Sequence, residues 1–219
     1  PSTSKGKSPV SVLSVYKNKD AFFMGLDGKG LSVFSGKNNT AKRYNSTNKN
    51  SIGDDYIQYI CEAQNGTLWI GTFVNGLVNF NYKTGNFTQF KQNLGDSKSL
   101  SFNDVRYIVE DEKNNFWIAT WGGGLNYFDV NTKEFKSFKE KTGAENTISS
   151  NNVLSLQKDK DLIWLATFGG GVNLLDTKTN RFKVFKSVET NPNSISSDYL
   201  YSILKDSKGN IWMGTAGEG

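Results

Sequence analysis

The chemistry open to this chain is bounded first by what its 219 residues lack. There is no histidine, which removes the commonest general base and every histidine-containing metal set. The single cysteine, Cys61, has no imidazole to activate it, so a cysteine–histidine nucleophile is excluded. It has no second thiol to bridge, and it reads as a small buried hydrophobe in a strand. Carboxylates such as Asp104, Glu110 and Asp111 fall at turns and strand edges, where capping or solvation accounts for them. The run Gly122-Gly123-Gly124 has the composition of a phosphate loop. No helix is expected after it, and no Lys-Ser/Thr pair accompanies it. The sequence therefore predicts no catalytic residue, no metal site and no cofactor.

Binding chemistry is better represented. Phe73, Trp121 and Phe168 are aromatics whose faces could stack on a sugar ring, or simply cover a neighbouring sheet. Asn75 offers both donors and an acceptor. Arg106 carries a fixed donor fork suited to a carboxylate or sulfate. Its alternative role is a salt bridge to a neighbouring unit. Gln58 and Tyr201 occupy the same relative place as Arg106. These seven residues stand out because they differ between internal copies of a repeat. A residue that recurs serves the scaffold, whereas a variable one at the rim is free to serve a ligand. The series Asp55, Asn103, Asn151 and Asp198 recurs, and it reads as turn-forming.

The repeat that must position them is plain. Asn115–Asp129 reads as a short apolar strand, a glycine-rich turn and a second apolar strand, and Leu162–Asp176 repeats the phrase. Trp69, Trp117, Trp164 and Trp212 mark successive copies at spacings of 48, 47 and 48 residues. In a divergent first copy Phe23 takes the tryptophan position, and Gly25, Gly30 and Leu31 match Gly71, Gly76 and Leu77. The copies occupy residues 10–44, 51–90, 99–138 and 147–186, with an incomplete fifth at 194–219. Each full copy holds four strand-like runs; in the third they are Val105–Glu110, Phe116–Trp121, Gly124–Asp129 and Glu134–Phe138. Turns such as Gln64-Asn65-Gly66 and Lys83-Thr84-Gly85 supply the positive φ that tight hairpins need.

No stretch shows a sustained 3.6-residue apolar period, so almost no helix is expected. Four antiparallel strands recurring every ~40–50 residues define a propeller blade. The predicted fold class is all-β: a β-propeller of four-stranded antiparallel blades, about 4.5 of them spread over residues 1–219. Trp117 and its equivalents are then expected between blades, together with Phe87, Phe90, Phe135, Phe138, Phe182 and Phe185.

Composition fits a packed domain, with 36% hydrophobic and 13% aromatic residues. The formal charge of +5 comes from scattered lysines such as Lys17, Lys19, Lys158 and Lys160. No dense basic run exists, so nucleic acid is not an expected partner. No apolar run approaches the ~18 residues of a membrane span.

The consensus Ser-Ile-Ser-Ser-Asn-x-Val-x-x-Leu, x-Asp-x-x-Gly-x-Ile-Trp-x-Gly-Thr and Gly-Gly-Gly-Leu-Asn-x-Phe-Asp is visible at Thr147–Leu156, Ser194–Thr215 and Gly122–Asp129. It resembles the two-component regulator propeller repeat, over about Val10 to Gly219. That family occurs in periplasmic sensor regions of hybrid histidine kinases, chiefly of gut Bacteroidetes. Two seven-bladed propellers there precede an immunoglobulin-like domain, a membrane helix and the kinase machinery. The resemblance implies that the chain is part of a seven-bladed propeller in an inner-membrane histidine kinase, with its sensor region in the periplasm. It implies an oligosaccharide or other small ligand, the remaining blades and adjacent domains as partners, and room for a homodimer. The chain itself contains no kinase elements. The alternatives are a propeller lyase or hydrolase of the streptogramin lyase type, and a scaffold propeller that binds another protein.

Overall fold

The computed structural model describes residues 10–37, 39–47 and 51–217, which contain strands and no helix. The first sheet comprises β1 (Val12–Lys17), β2 (Phe22–Leu26), β3 (Gly30–Ser35) and β4 (Thr40–Tyr44). The second comprises β5 (Ile57–Glu62), β6 (Leu68–Thr72), β7 (Leu77–Asn81) and β8 (Asn86–Phe90). The third comprises β9 (Val105–Glu110), β10 (Phe116–Thr120), β11 (Gly124–Asp129) and β12 (Glu134–Phe138). The fourth comprises β13 (Val153–Asp159), β14 (Leu162–Thr167), β15 (Gly171–Asp176) and β16 (Arg181–Phe185). β17 (Leu200–Lys205) and β18 (Ile211–Thr215) form a two-stranded sheet. Each is an antiparallel meander, and β1, β5, β9, β13 and β17 lie side by side as the innermost strands. The chain is an all-β propeller array.

Local chemistry explains each blade. Gly66 (φ 76°), Asn114 (φ 61°), Lys160 (φ 55°) and Gly209 (φ 90°) turn the first hairpin in the second to fifth copies. The third hairpin turns on Gly85, Lys133 and Asn180. Lys133 and Lys160 are the departures, because a lysine is uncommon at positive φ. The Lys133 turn is held by Asp129, whose carboxylate accepts the amides of Asn131 and Thr132 at 2.8 and 3.1 Å. The repeated threonine closes the middle hairpin. The hydroxyls of Thr72, Thr120 and Thr167 donate to the carbonyls of Gly76, Gly124 and Gly171 at 2.8, 2.9 and 2.6 Å. All three threonines are fully buried, so these bonds satisfy hydroxyls that would otherwise be costly. The third copy differs from expectation at one place: β10 ends at Thr120, leaving Trp121 in the turn.

The Asn/Asp series does more than form turns. The carbonyls of Asp55, Asn103, Asn151 and Asp198 accept the amides of Gly30, Gly76, Gly124 and Gly171 in the preceding blade at 2.8–3.0 Å. Their side chains accept the amides of Ser46, Gln92, Glu140 and Ser187 in the connecting loops at 2.7, 2.8, 2.9 and 2.7 Å. One residue therefore fastens each blade to the one before it, using both its backbone and its side chain.

The core lies between blades. Phe23 and Leu31 pack with Ile57, Ile70 and Phe80. Trp69 meets Phe90 of its own blade at 5.9 Å between centroids, and Phe116 and Phe128 of the next at 4.5 and 5.6 Å. Backbones approach closely where the repeat places Gly71: a Cβ there would lie 2.7 Å from the carbonyl oxygen of Val105 on β9. The four tryptophans differ in environment. Trp69 and Trp117 are buried, Trp164 is half-buried, and Trp212 on β18 is 62% exposed.

In this chain Trp69→Ala should therefore cost about 3–5 kcal/mol of stability, whereas Trp212→Ala should shift a urea midpoint only slightly. Equal shifts would contradict the inter-blade role. Cys61 supplies a pH test. Its Sγ donates weakly to the Trp69 carbonyl at 3.9 Å, and burial, with a smaller push from Glu110, raises its pKa to about 12. The stability contributed by the protonated thiol is fully present below the unfolded thiol's pKa and is lost as pH rises from there toward the folded value. Labelling by a thiol reagent at neutral pH should be slow in the folded chain and fast once unfolded; rapid labelling of the folded chain would contradict this placement.

Candidate functional site

Every innermost strand slips register once near its start. The breaks fall between Val12 and Ser14, between Ile57 and Tyr59, and opposite Ala119 and Thr120 on β9. They recur between Val153 and Ser155 and between Leu200 and Ser202. The residues left out of register are Leu13, Gln58, Arg106, Leu154 and Tyr201. A bulge frees one residue from the ladder and re-aims its side chain. The variable column singled out in the sequence is thus the bulge column, and Leu13 joins it from the divergent first copy.

A second column packs beside the bulges. The residue after the repeated threonine donates its amide to the residue just before the innermost strand. The pairs are Phe73 to Tyr56, Trp121 to Asp104, Phe168 to Asn152 and Ala216 to Tyr199, at 3.2, 2.9, 2.9 and 2.9 Å. Backbone bridges Trp121–Asn152 and Phe168–Tyr199 tie this column to the following blade.

These two columns assemble an arc of rings around one cation. Tyr56 and Phe73 lie 5.9 Å apart. The Arg106 guanidinium sits 5.9 Å from the Phe73 ring and 5.6 Å from the Trp121 ring, so it lies between two blades' aromatics. Trp121 meets Phe168 at 5.4 Å, and Phe168 meets Tyr199 and Tyr201 at 4.9 and 5.7 Å. Tyr56, Phe73, Tyr199 and Tyr201 are exposed, so the arc presents ring surface to solvent.

Beneath the arc the charges are arranged against simple anion capture. Arg106 is paired at 2.6 Å with Asp104, two residues earlier in its own blade. This differs from both expected roles, a bond to a neighbouring blade or a free fork. Asp104 is 4% exposed. Burial raises its pKa, Arg106 opposes that through a hydrogen bond and its charge, and the negative charge of Asp54 adds to the rise. Asp54 is itself buried and accepts the amides of Tyr56, Val74 and Asn75 at 3.0, 2.7 and 3.2 Å. Asp104 Oδ1 and Arg106 Nε are buried with no hydrogen-bond partner among the described residues.

The structure thus brings Phe73, Arg106, Trp121, Phe168 and Tyr201 together. The Asn75 backbone is held in its turn, with its N–H donating to Asp54 and Thr72 and its carbonyl accepting from Gln89 Nε2 at 3.0 Å, and no ring contact or hydrogen bond joins its side chain to the arc among the described residues. Gln58 stands on the β5 bulge with no ring or hydrogen bond joining it to the arc among the described residues. Tyr56, Tyr199 and Asp54 were not singled out from sequence, and Asp104, expected to be a capping or solvated carboxylate, is instead buried and paired with Arg106. Tyr56, Asp104, Asn152 and Tyr199 form one variable column, so comparing that column between copies would have found three of these four.

A profile of the two component regulator propeller family matches residues 51–73, 99–122 and 194–217. These three stretches are similar to two component regulator propeller repeats and make up about a third of the chain. Each matched repeat spans the innermost strand with its bulge and the strand after it, and the first two include the aromatics Phe73 and Trp121. No curated protein matches the chain by sequence. Among solved structures, the extracellular domain of a hybrid two component system from B. thetaiotaomicron is similar at a TM-score of 0.79 and 24% identity, covering 93% of this chain. A second such domain from the same organism gives 0.76 and 21%, covering 98%. The chain spans 27% of the length of each. Virginiamycin B lyase from Staphylococcus aureus shares the fold at 0.65 and 12% identity, covering 93% of this chain and 63% of the lyase. At these identities the likeness is one of fold.

Truncating Asp104 to Ala should destabilise the chain by about 1–3 kcal/mol, because it leaves a part-buried guanidinium unpaired. Adding Arg106→Leu should recover part of that loss. Additive losses in urea unfolding would show that the two groups are screened from each other.

Proposed function

We propose that this chain is part of the extracytoplasmic, periplasmic sensor region of a hybrid two-component signalling protein. It binds an oligosaccharide at the aromatic arc and relays occupancy to a histidine kinase elsewhere in the protein. The arc carries this reading. Exposed rings from successive blades offer flat π surfaces to the C–H faces of sugar rings, and a guanidinium between them can donate to hydroxyls. The propeller repeats and the fold shared with extracellular domains of hybrid two component systems support the setting. Seven blades in the complete ring, and adjacent domains that receive the signal, belong to the same proposal.

An enzymatic reading is favoured only by the lyase likeness. A His-to-Ala variant of that lyase is catalytically inactive, and these 219 residues contain no histidine. The arc also lacks a general base, since its buried carboxylate is engaged by Arg106.

Calorimetric titration of the chain with a panel of plant and host oligosaccharides tests the proposal. Trp121→Ala and Phe168→Ala should each weaken a discovered ligand by about tenfold or more, in line with about 1–3 kcal/mol for a lost stacking partner. Leu94→Ser, at an exposed loop position, should not. Unchanged affinity in both arc variants would place the ligand elsewhere.

A further inference from the structure

Arg106 is the one cation that ring contacts or hydrogen bonds bring to the arc among the described residues. Its charge is already matched. Asp104 holds Nη2 at 2.6 Å from a position almost closed to solvent. Asp54, a second buried carboxylate, acts on Asp104 through its charge. The charged groups thus gathered are one guanidinium and two carboxylates. An incoming anion would gain a cation that is half-spent and would meet two negative charges in a setting of low polarity, where like charges cost most.

The remaining donors point the same way. Asp104 already engages Nη2, and Arg106 Nε is buried. The side-on fork by which a guanidinium takes a carboxylate or sulfate is therefore closed to an incoming anion. The guanidinium lies over the rings of Phe73 and Trp121 at 5.9 and 5.6 Å.

We infer that the arc selects uncharged sugar chains over uronate-containing or sulfated ones, with Asp104 setting the preference by neutralising Arg106. Asp104 acts here as a positioning residue. The inference rests on the arc being an oligosaccharide site and adds the class of sugar that it takes.

The test compares two length-matched probe sets on this chain by calorimetry. One holds neutral gluco-, xylo-, manno- and fructo-oligosaccharides. The other holds galacturonate and chondroitin sulfate oligosaccharides. A neutral probe should bind at least about tenfold more tightly than any charged one. Its affinity should change less than about twofold between about 20 mM and about 500 mM salt, because no net charge is neutralised. Asp104→Asn should release the guanidinium, raise affinity for a charged probe by about tenfold, and make that binding salt-sensitive. A purely structural defect would weaken both sets alike. Arg106→Gln on the wild-type background provides a second arm, and it should leave the neutral preference in place.

Tighter binding of a charged probe to the wild type, lost in Trp121→Ala, would overturn the inference while leaving the oligosaccharide site intact. No binding by either set, or binding indifferent to Trp121→Ala and Phe168→Ala, would overturn the site and the inference together.

Discussion

The structure depends on apolar faces that no single blade can bury alone. A four-stranded sheet of this size has two greasy sides and little thickness, and its neighbours are the only available cover. Trp69 shows the principle, since most of its aromatic contacts belong to the next blade. Trp212 shows the converse: the same residue at the same place in the repeat stands mostly in solvent where no further sheet packs on it in this chain. Burial here is a property of the junction. That explains why the sequence repeats its aromatics so faithfully while its loops drift.

Hydrophobic contact alone has no direction, and stacked sheets could slide. The Asn/Asp fasteners remove that freedom. At each junction one side chain and one carbonyl hold two different segments of the preceding blade. These bonds are short and specific, and they sit at the end where the arc forms. The buried threonine hydroxyls then fix each middle hairpin, so the residue that follows leaves the sheet at a defined angle. The arc aromatics are in this sense aimed by residues that recur in every copy.

Much of this was legible before any coordinates. The tryptophan spacing gave the architecture, because a period near that of a blade with four short strands per copy has few other solutions. The glycine and asparagine turn positions followed from the need for positive φ; Lys133, whose turn Asp129 holds, and Lys160 depart from that pattern. The variable columns pointed to Phe73, Arg106, Trp121, Phe168 and Tyr201, which the fold does bring together. Asn75 lies apart from them: its backbone is bound into a turn, and no contact joins its side chain to the rings among the described residues. The partner of Arg106 was also hidden. Asp104 and Arg106 are two apart, and only the bulge between β9 and β10 decides how they face. Register slips of this kind leave no mark in hydrophobic patterning, because the strand's apolar residues still reach the core.

The recurrence of one bulge in all five sheets has a further consequence. It separates the rim position from the demands of the ladder: Leu, Gln, Arg, Leu and Tyr stand there on nearly the same backbone. Substitution at these sockets leaves the sheet's own pairing undisturbed. A lineage can therefore rewrite the chemistry of the rim, one socket at a time, while the framework beneath it stays unedited.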